Sequence, residues 1–111
     1  MMKSMNKIIL IGHLRAKPEG RYTPSGISTV SFSVATNEFW VDADQKKHEH
    51  TEWHHVVAWN QVADFVTQYC AKGCLVYVEG SLRTRTWVGS NKEKKKITEI
   101  VATHVMSLEK R

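Results

Sequence analysis

Four tryptophans are the side chains of this sequence best suited to holding a flat ligand: Trp40, Trp53, Trp59 and Trp87. An indole offers a broad π-face, on which any aromatic ring can stack, a nucleic-acid base included. Trp40 stands among Glu38, Asp42 and Asp44, in a polar stretch that gives the ring little core to enter. Four buried indoles are hard to pack in a small domain, and we therefore predict that these rings are exposed.

Two arginines accompany one of these rings in the stretch VYVEGSLRTRTWVG, residues 76–89. In a strand, successive side chains point to opposite faces of the sheet. Arg83, Arg85 and Trp87 therefore share one face, while Val76 and Val78 lie on the other, apolar face. A face that combines guanidinium groups with an indole suits the phosphates and unpaired bases of a single strand of nucleic acid.

The positive charge of the chain is concentrated at one end. The formal net charge is +5 over 111 residues. Residues 1–80 contain eight Lys/Arg and eight Asp/Glu, whereas residues 81–111 contain eight and three. A basic region on a neutral body indicates an anionic partner, and nucleic acid is the usual one. A solvated surface that confers solubility is the alternative interpretation of the charge alone.

Metal ligation is a second chemistry that the residue types allow, through His48, His50, His54, His55, Cys70 and Cys74. A zinc site needs four convergent ligands, usually in closely spaced pairs. His54 and His55 point to opposite faces of a strand, and the cysteines of CAKGC straddle a helix end. We predict no metal site, and we interpret the cysteines as packing residues. The sequence contains no nucleophile motif and no phosphate-cradling glycine loop. We therefore expect no catalytic residues and no cofactor, and we predict that the protein is not an enzyme.

The elements that must position these residues follow from hydrophobic periodicity. Strands are predicted at Lys7–Leu14 (with a bend or bulge at Gly12), Ser28–Thr36, Thr51–Trp59, Leu75–Trp87 and Ile97–Met106. One helix is predicted at Gln61–Cys70, because apolar residues recur there at a spacing of three to four. Asn37–His50 is interpreted as a long exposed loop, and Gly89–Lys96 as a basic loop.

This order of elements predicts an all-β fold in a single domain, residues 1–111. Closing a five-stranded barrel removes the sheet edges, and the OB-fold has this layout, with one short helix between strands 3 and 4. Other small barrels are the alternative. No apolar run approaches the roughly 20 residues that span a bilayer, and we predict no membrane contact. Two cysteines are too few for a secreted disulfide framework, which favours a reducing, cytoplasmic compartment.

Several motifs together resemble one known family, the bacterial-type single-stranded DNA-binding proteins (SSB). The motifs are NKIILIGHL, PEGRYTPSG, FSVATNEFW, TEWHHVVAW, YCAKGCLVYVEGSLRTRTW and ITEIVA, and the match as a whole runs from about Asn6 to Met106. The resemblance implies an OB-fold, usually a homotetramer, that coats single-stranded DNA during replication, recombination and repair. It also implies a bacterial, nucleoid-associated location, with an organellar form as the alternative.

The resemblance assigns roles to individual residues. It implies base stacking by the four tryptophans, contacts to DNA by Lys7, Arg21, Lys72, Arg83 and Arg85, and a subunit contact by His54. His55 stands where arginine is frequent in the family, and we include it among the DNA-binding residues although imidazole is only partly charged near neutral pH.

The resemblance ends before the acidic tail that most bacterial members carry. The sequence stops at Arg111, so either the chain is shortened or the member is naturally tailless, and we expect no tail-mediated recruitment of replication or repair enzymes. A primosomal accessory protein, which acts through protein–protein assembly, is the alternative function. A cold-shock-like RNA binder is a third, disfavoured because its phenylalanine clusters are missing.

Overall fold

A computed structural model describes residues 3–109 of the chain. Six strands and one helix follow in this order: β1 (Ile8–Leu14), β2 (Glu19–Tyr22), β3 (Ser28–Val41), β4 (Lys47–Trp59), α1 (Asn60–Tyr69), β5 (Leu75–Val88) and β6 (Lys94–Ser107). The helix therefore begins within one residue of its predicted start. In the described part of the chain, no helix has the length and apolar character needed to cross a membrane.

The strands form one sheet in the order β1-β5-β6-β4-β3-β2, and pairing of β1 with β3 closes five of them into a barrel. The closing pairs are His13 with Ala35 and Leu14 with Val34. All neighbours are antiparallel except β4 and β6, which pair in parallel at Val56–Ile100 and Val57–Val101. The short β2 adds to the edge of β3. The predicted five-stranded barrel is confirmed, with its helix between the third and fourth barrel strands.

The core is built from the inward positions of the barrel strands and from one face of the helix. Val34, Val56, Val76 and Val78 are completely buried, as is Val66 of α1. These positions alternate with outward residues on each strand, as the pleat of a strand requires. The inward face is thus used for packing, and the outward face of the same strands points away from the core.

The prediction of a loop at Asn37–His50 is wrong. β3 continues to Val41 and β4 begins at Lys47, so the two strands form a paired hairpin around a turn at residues 42–46. The predicted basic loop, Gly89–Lys96, is also too long, because β6 begins at Lys94. Neither face of a two-stranded ribbon packs on a core, so its strands need no alternation of apolar and polar residues. Hydrophobic periodicity therefore does not detect these extensions.

These extensions give the molecule two arms. We call residues 37–51 the β3–β4 arm and residues 83–98 the β5–β6 arm. Within the described residues, each arm pairs only with itself, whereas the barrel segments of the same strands have further neighbours. Trp40 lies on the first arm and Trp87 on the second, while Trp53 and Trp59 belong to the barrel end of β4.

Two glycines permit close backbone contacts in the barrel. The predicted bulge at Gly12 is wrong: Gly12 lies in the regular β1–β5 ladder, and the register shifts between Glu79 and Gly80 instead. A Cβ at Gly12 would overlap the carbonyl oxygen of Ala35, and a Cβ at Gly80 would overlap that of Val101. Both positions are thus restricted to glycine by space, since backbone passes directly over them.

The two cysteines lie in the core where α1 ends, as the packing interpretation predicted. Burial raises the pKa of the Cys70 thiol from 9.0 to about 11, with a further contribution from neighbouring Cys74. A thiol with so high a pKa stays protonated near neutral pH and is a poor nucleophile.

Alkaline pH should therefore destabilise the fold through Cys70. The unfolded thiol loses its proton near pH 9.0 and the folded thiol near 11, so the unfolded state binds fewer protons between these values and stability falls as pH rises. Two pKa units correspond to roughly 2–3 kcal/mol. Urea unfolding at pH 8 and pH 11 should show a loss larger by about this amount in the wild type than in Cys70→Ala. Equal losses of stability in the wild type and in Cys70→Ala would contradict a raised pKa of Cys70.

Candidate nucleic-acid interface

β4 presents two tryptophans and a histidine on the outside of the barrel. Val56 and Ala58 of this strand point inward and are buried, so the alternate residues Trp53, His55 and Trp59 point outward. The two indoles are 50% and 43% exposed. Their common face, which the spacing in the sequence predicted, leaves both rings accessible to a ligand.

β5 contributes the second part of the surface. Arg83, Arg85 and Trp87 occupy successive outward positions on the β5–β6 arm, opposite Glu99, Ile97 and Lys95 of β6. The guanidinium carbon of Arg85 lies 5.2 Å from the centroid of the Trp87 ring, within the range of a cation–π contact. The predicted grouping of these three residues on one face is therefore present.

Glu99 of β6 joins these two parts. Its side chain is only 6% exposed, and Arg85 Nε donates a 2.9 Å hydrogen bond to its Oε1. His55 Nε2 lies 3.5 Å from Oε2, an oxygen that has no hydrogen-bond partner in the structure. Because the carboxylate reaches His55 on β4 and Arg85 on β5, the outward faces of β4, β6 and β5 form one continuous surface.

Sequence reasoning missed both Glu99 and Arg15. Arg15 follows β1, and its guanidinium carbon lies 5.2 Å from the centroid of Trp53. Nothing in the sequence around Arg15 signals this contact, because it depends on barrel closure. Glu99 had a weak signal, since it precedes the inward Ile100 in a strand and must point outward.

Trp40 lies apart from the other tryptophans. Its cross-strand partner on β4 is His48, and the partner of Trp53 on β3 is Ala35. Trp40 and Ala35 are five residues apart on β3, so their side chains point to opposite faces of the strand. Residues directly opposite in a ladder share a face, so Trp40 and Trp53 are on opposite faces of the β3–β4 hairpin. The rings of Trp40 and His48 are stacked, with centroids 5.3 Å apart and planes inclined by 15°.

A carboxylate holds the histidine of this pair. His48 Nε2 donates a 2.7 Å hydrogen bond to Asp42 Oδ2. That bond, followed by one from the backbone of Lys46, lowers the pKa of Asp42 below its ordinary value. The ionised carboxylate is therefore the stable form of this group near neutral pH.

Three predicted cationic residues lie on other elements. Lys7 precedes β1, and its Nζ is 3.3 Å from Glu79 Oε2. The hydrogen bond from Tyr77 and the Lys7 ammonium lower the pKa of Glu79. Arg21 lies on β2, beside a groove that Lys17 also lines, while Lys72 lies in the turn after α1. The structure therefore distributes these cations around the barrel instead of grouping them with the indoles.

His54 points away from His55, as alternation predicted. Its Nε2 lies 2.9 Å from the hydroxyl of Thr36 on β3, and the pair is partly buried. Across residues 3–109, no three His, Cys, Asp or Glu side chains converge as metal ligands would.

A closed five-stranded barrel with a helix after its third strand is an OB-fold, a fold commonly used to bind single-stranded nucleic acid. Its surface of exposed indoles and cations is of the kind that such domains use. Residues 5–108 match the Single-strand binding protein family, and the chain belongs to this family.

Similar proteins support this assignment. The chain is 48% identical to Single-stranded DNA-binding protein 1 of Chlorobaculum tepidum, over 97% of this chain and 67% of that one. It is 44% identical to Single-stranded DNA-binding protein 1 of Xylella fastidiosa, over 99% and 82%. Among solved structures, the Plasmodium falciparum SSB in complex with ssDNA superposes with a TM-score of 0.86 at 38% identity, covering 98% of this chain and 99% of that one.

Proposed function

We propose that this chain binds single-stranded DNA without reading its sequence, and protects it during replication, recombination and repair. The observation that carries the proposal is the continuous surface of β4, β6 and β5, with Trp53, Trp59 and Trp87 exposed among cationic side chains. Proteins of this family bind DNA and are not enzymes. The P. falciparum relative, whose fold is the same, is known in complex with ssDNA.

In this proposal, the residues have two kinds of role. The four indoles stack on bases, since every base has a π-face. Phosphates are bound by cations along the path of the strand, through Lys7, Arg21, His55, Lys72, Arg83 and Arg85. Because neither contact depends on the identity of the base, affinity is expected to vary little with sequence.

The direct test is a titration of intrinsic tryptophan fluorescence with poly-dT. Stacking of bases on exposed indoles should change the emission, and the change should saturate at a defined number of nucleotides per chain. A mixed-sequence DNA strand should bind similarly, whereas the same sequence as a duplex should compete poorly because its bases are already paired. Absence of saturable binding to poly-dT, or preference for the duplex, would contradict the proposal.

Salt dependence should report the phosphate contact of Arg83. Neutralising a phosphate on a single strand releases counterions, so the logarithm of affinity falls with the logarithm of salt by about 0.7 per contact. Arg83→Ala should make this slope shallower by about 0.7 per bound chain, while Arg83→Lys should preserve it. Arg85 is a less suitable site for this test, because its removal leaves the buried Glu99 without its cation. An unchanged slope in Arg83→Ala would exclude a phosphate contact there.

We further infer that the chain assembles into a homotetramer. The outward face of β1, β5 and β6 exposes apolar side chains next to one another, including Ile9, Ile11 and Met106. An apolar strand face of this kind favours association. His54, held near Thr36, is proposed to contribute to a subunit contact.

Introducing a charge on this apolar face should dissociate the assembly. The wild type is expected to scatter light as an oligomer at micromolar concentration, whereas Ile11→Glu should shift towards the chain mass of 12.7 kDa. The reason is that an unpaired carboxylate in an apolar interface is costly to desolvate. A wild-type protein that remains at 12.7 kDa would exclude this assembly.

For the cellular setting, we propose the bacterial cytoplasm in association with the nucleoid, with the whole chain acting as one domain. The named relatives of C. tepidum and X. fastidiosa are bacterial proteins. Two buried free thiols fit a reducing compartment.

A further inference from the structure

Three of the four indoles have a planar, nitrogen-bearing group, an imidazole or a guanidinium, against one face. The pairs are Trp40 with His48, Trp53 with Arg15, and Trp87 with Arg85. In two of the pairs a carboxylate accepts a hydrogen bond from the group against the ring, Asp42 from His48 and Glu99 from Arg85. The same arrangement of carboxylate, nitrogen-bearing side chain and indole thus occurs twice, once within the β3–β4 arm and once where the β5–β6 arm joins the barrel.

On the β3–β4 arm, the carboxylate is itself fixed by the turn. Asp42 Oδ1 accepts hydrogen bonds from the backbone N–H groups of Asp44 and Lys46, at 2.9 and 3.0 Å. Its other oxygen accepts the 2.7 Å bond from His48. The imidazole lies nearly parallel to the Trp40 ring. The side chains of Asp42 and His48 therefore connect the backbone of the turn to the indole.

Next to the β5–β6 arm, one residue beyond it on β6, burial fixes the carboxylate of Glu99. Glu99 is 5% exposed, and the guanidinium that it holds by one 2.9 Å bond covers one face of Trp87. Trp40 and Trp87 nevertheless remain 48% and 43% exposed. Each ring therefore has a neighbouring side chain near one face and still keeps nearly half of its surface accessible.

We propose that Asp42 and Glu99 are positioning residues for base stacking: each holds a side chain against one face of an indole, so that the ring is fixed and its other face is presented to a base. The inference rests on the proposed function. A ring fixed before binding loses less conformational freedom when a base stacks on it, and affinity rises accordingly.

The sign of the charge makes the inference testable. A carboxylate on a surface that binds a polyanion opposes binding through its field. Removing it should therefore strengthen DNA binding if its influence is electrostatic alone. If the carboxylate positions the indole, its removal should weaken binding instead.

Asp42 offers the cleaner test, with a matched control in the same turn. Asp42→Asn keeps an oxygen for the turn and removes the charge that holds His48. Asp44→Asn removes the same charge from a residue whose hydrogen bond to Asp42 comes from its backbone N–H and is kept in the variant. In poly-dT titrations, we expect Asp42→Asn to bind about threefold to tenfold more weakly, the range for ordering one side chain, and Asp44→Asn to bind equally or more tightly.

A double-mutant comparison ties the effect to the indole. In the Trp40→Ala background, Asp42→Asn should cause no further weakening, because the ring that it positions is gone. Time-resolved fluorescence anisotropy on a variant that keeps Trp40 alone, with phenylalanine at the other three positions, should show faster ring motion after Asp42→Asn. Equal or tighter binding by Asp42→Asn, or the same weakening with and without Trp40, would overturn the inference.

Glu99→Gln provides the parallel test for Trp87, in the wild-type and Trp87→Ala backgrounds, with melting temperature as a check on folding. Weakening that depends on Trp87 supports the inference, and tighter binding overturns it.

Failure of the proposed function gives a different result from failure of the positioning role. If the wild type does not bind poly-dT, the function is wrong; if Trp40→Ala weakens binding and Asp42→Asn does not, only the positioning role is wrong.

Discussion

Replacing Trp53 and Trp87 together by alanine is expected to weaken poly-dT binding by about 2–6 kcal/mol per engaged chain, since stacking contributes roughly 1–3 kcal/mol per base. The two rings lie on separate barrel strands, with β6 between them, so their contributions should be nearly additive. Phenylalanine at both positions should recover part of the loss, because a smaller ring still stacks. The measurement is a fluorescence-independent one, such as filter binding or calorimetry, since the variant loses half of its tryptophans.

Stability distinguishes a stacking role from a core role for these rings. Both indoles are about half exposed, and their truncation should change the free energy of unfolding little, by about 0.5 kcal/mol each, as at other surface sites. A core indole would lose about 3–5 kcal/mol on truncation. A large fall in melting temperature, with affinity per folded chain preserved, would assign these rings to packing.

Gly12→Val should have the largest effect on folding. A side chain at this position meets the carbonyl of Ala35 and the Val34 side chain, both of which belong to the strand that closes the barrel on β1. Since backbone cannot move aside without breaking that closure, we expect a loss of about 3 kcal/mol or more, at the upper end of the range for overpacking. Urea unfolding of the purified variant measures it.

Gly89→Ala is the matched control for this prediction. A Cβ at Gly89 meets only the far end of the Lys95 side chain, at 3.3 Å, and atoms at 3.5 Å or more. A flexible lysine can move aside, so the change should lie within about 0.5 kcal/mol, as at most surface positions. If Gly12→Val and Gly89→Ala are equally stable, the close approach at Gly12 does not constrain the barrel.

The barrel and its helix could be predicted from the sequence because their residues alternate between a core and a solvent face. Val76 and Val78 point inward on β5, and the apolar stripe of α1 packs into the core. The exposed indoles were predictable for the complementary reason, since Trp53 and Trp59 occupy the outward positions of a strand whose inward positions are apolar.

The arms, the contact of Arg15 with Trp53 and that of Glu99 with His55 could not be predicted, because no local pattern encodes them. Residues 37–51 show no alternation of apolar and polar residues, since their apolar side chains Phe39, Trp40 and Val41 are consecutive. Their strand character depends on backbone hydrogen bonds to a partner strand. Arg15 meets Trp53 only after the barrel closes, and Glu99 meets His55 only through the parallel pairing of β4 with β6. Such contacts join residues that are far apart in the sequence, whereas hydrophobic periodicity describes only residues within one strand or helix.

The two arms imply that a bound strand is released in stages. Two-stranded hairpins are marginally stable by themselves, and segments with few buried contacts open locally at low free energy. Backbone amides of the arms should therefore exchange with deuterium sooner than those of the barrel, and DNA should slow this exchange most at residues near Trp40 and Trp87. With the proposed stacking roles, a strand can leave an arm while it is still bound at Trp53 and Trp59, so a competing strand can enter before the first one has dissociated. Dissociation measured with excess competitor should accordingly be faster than dissociation measured by simple dilution.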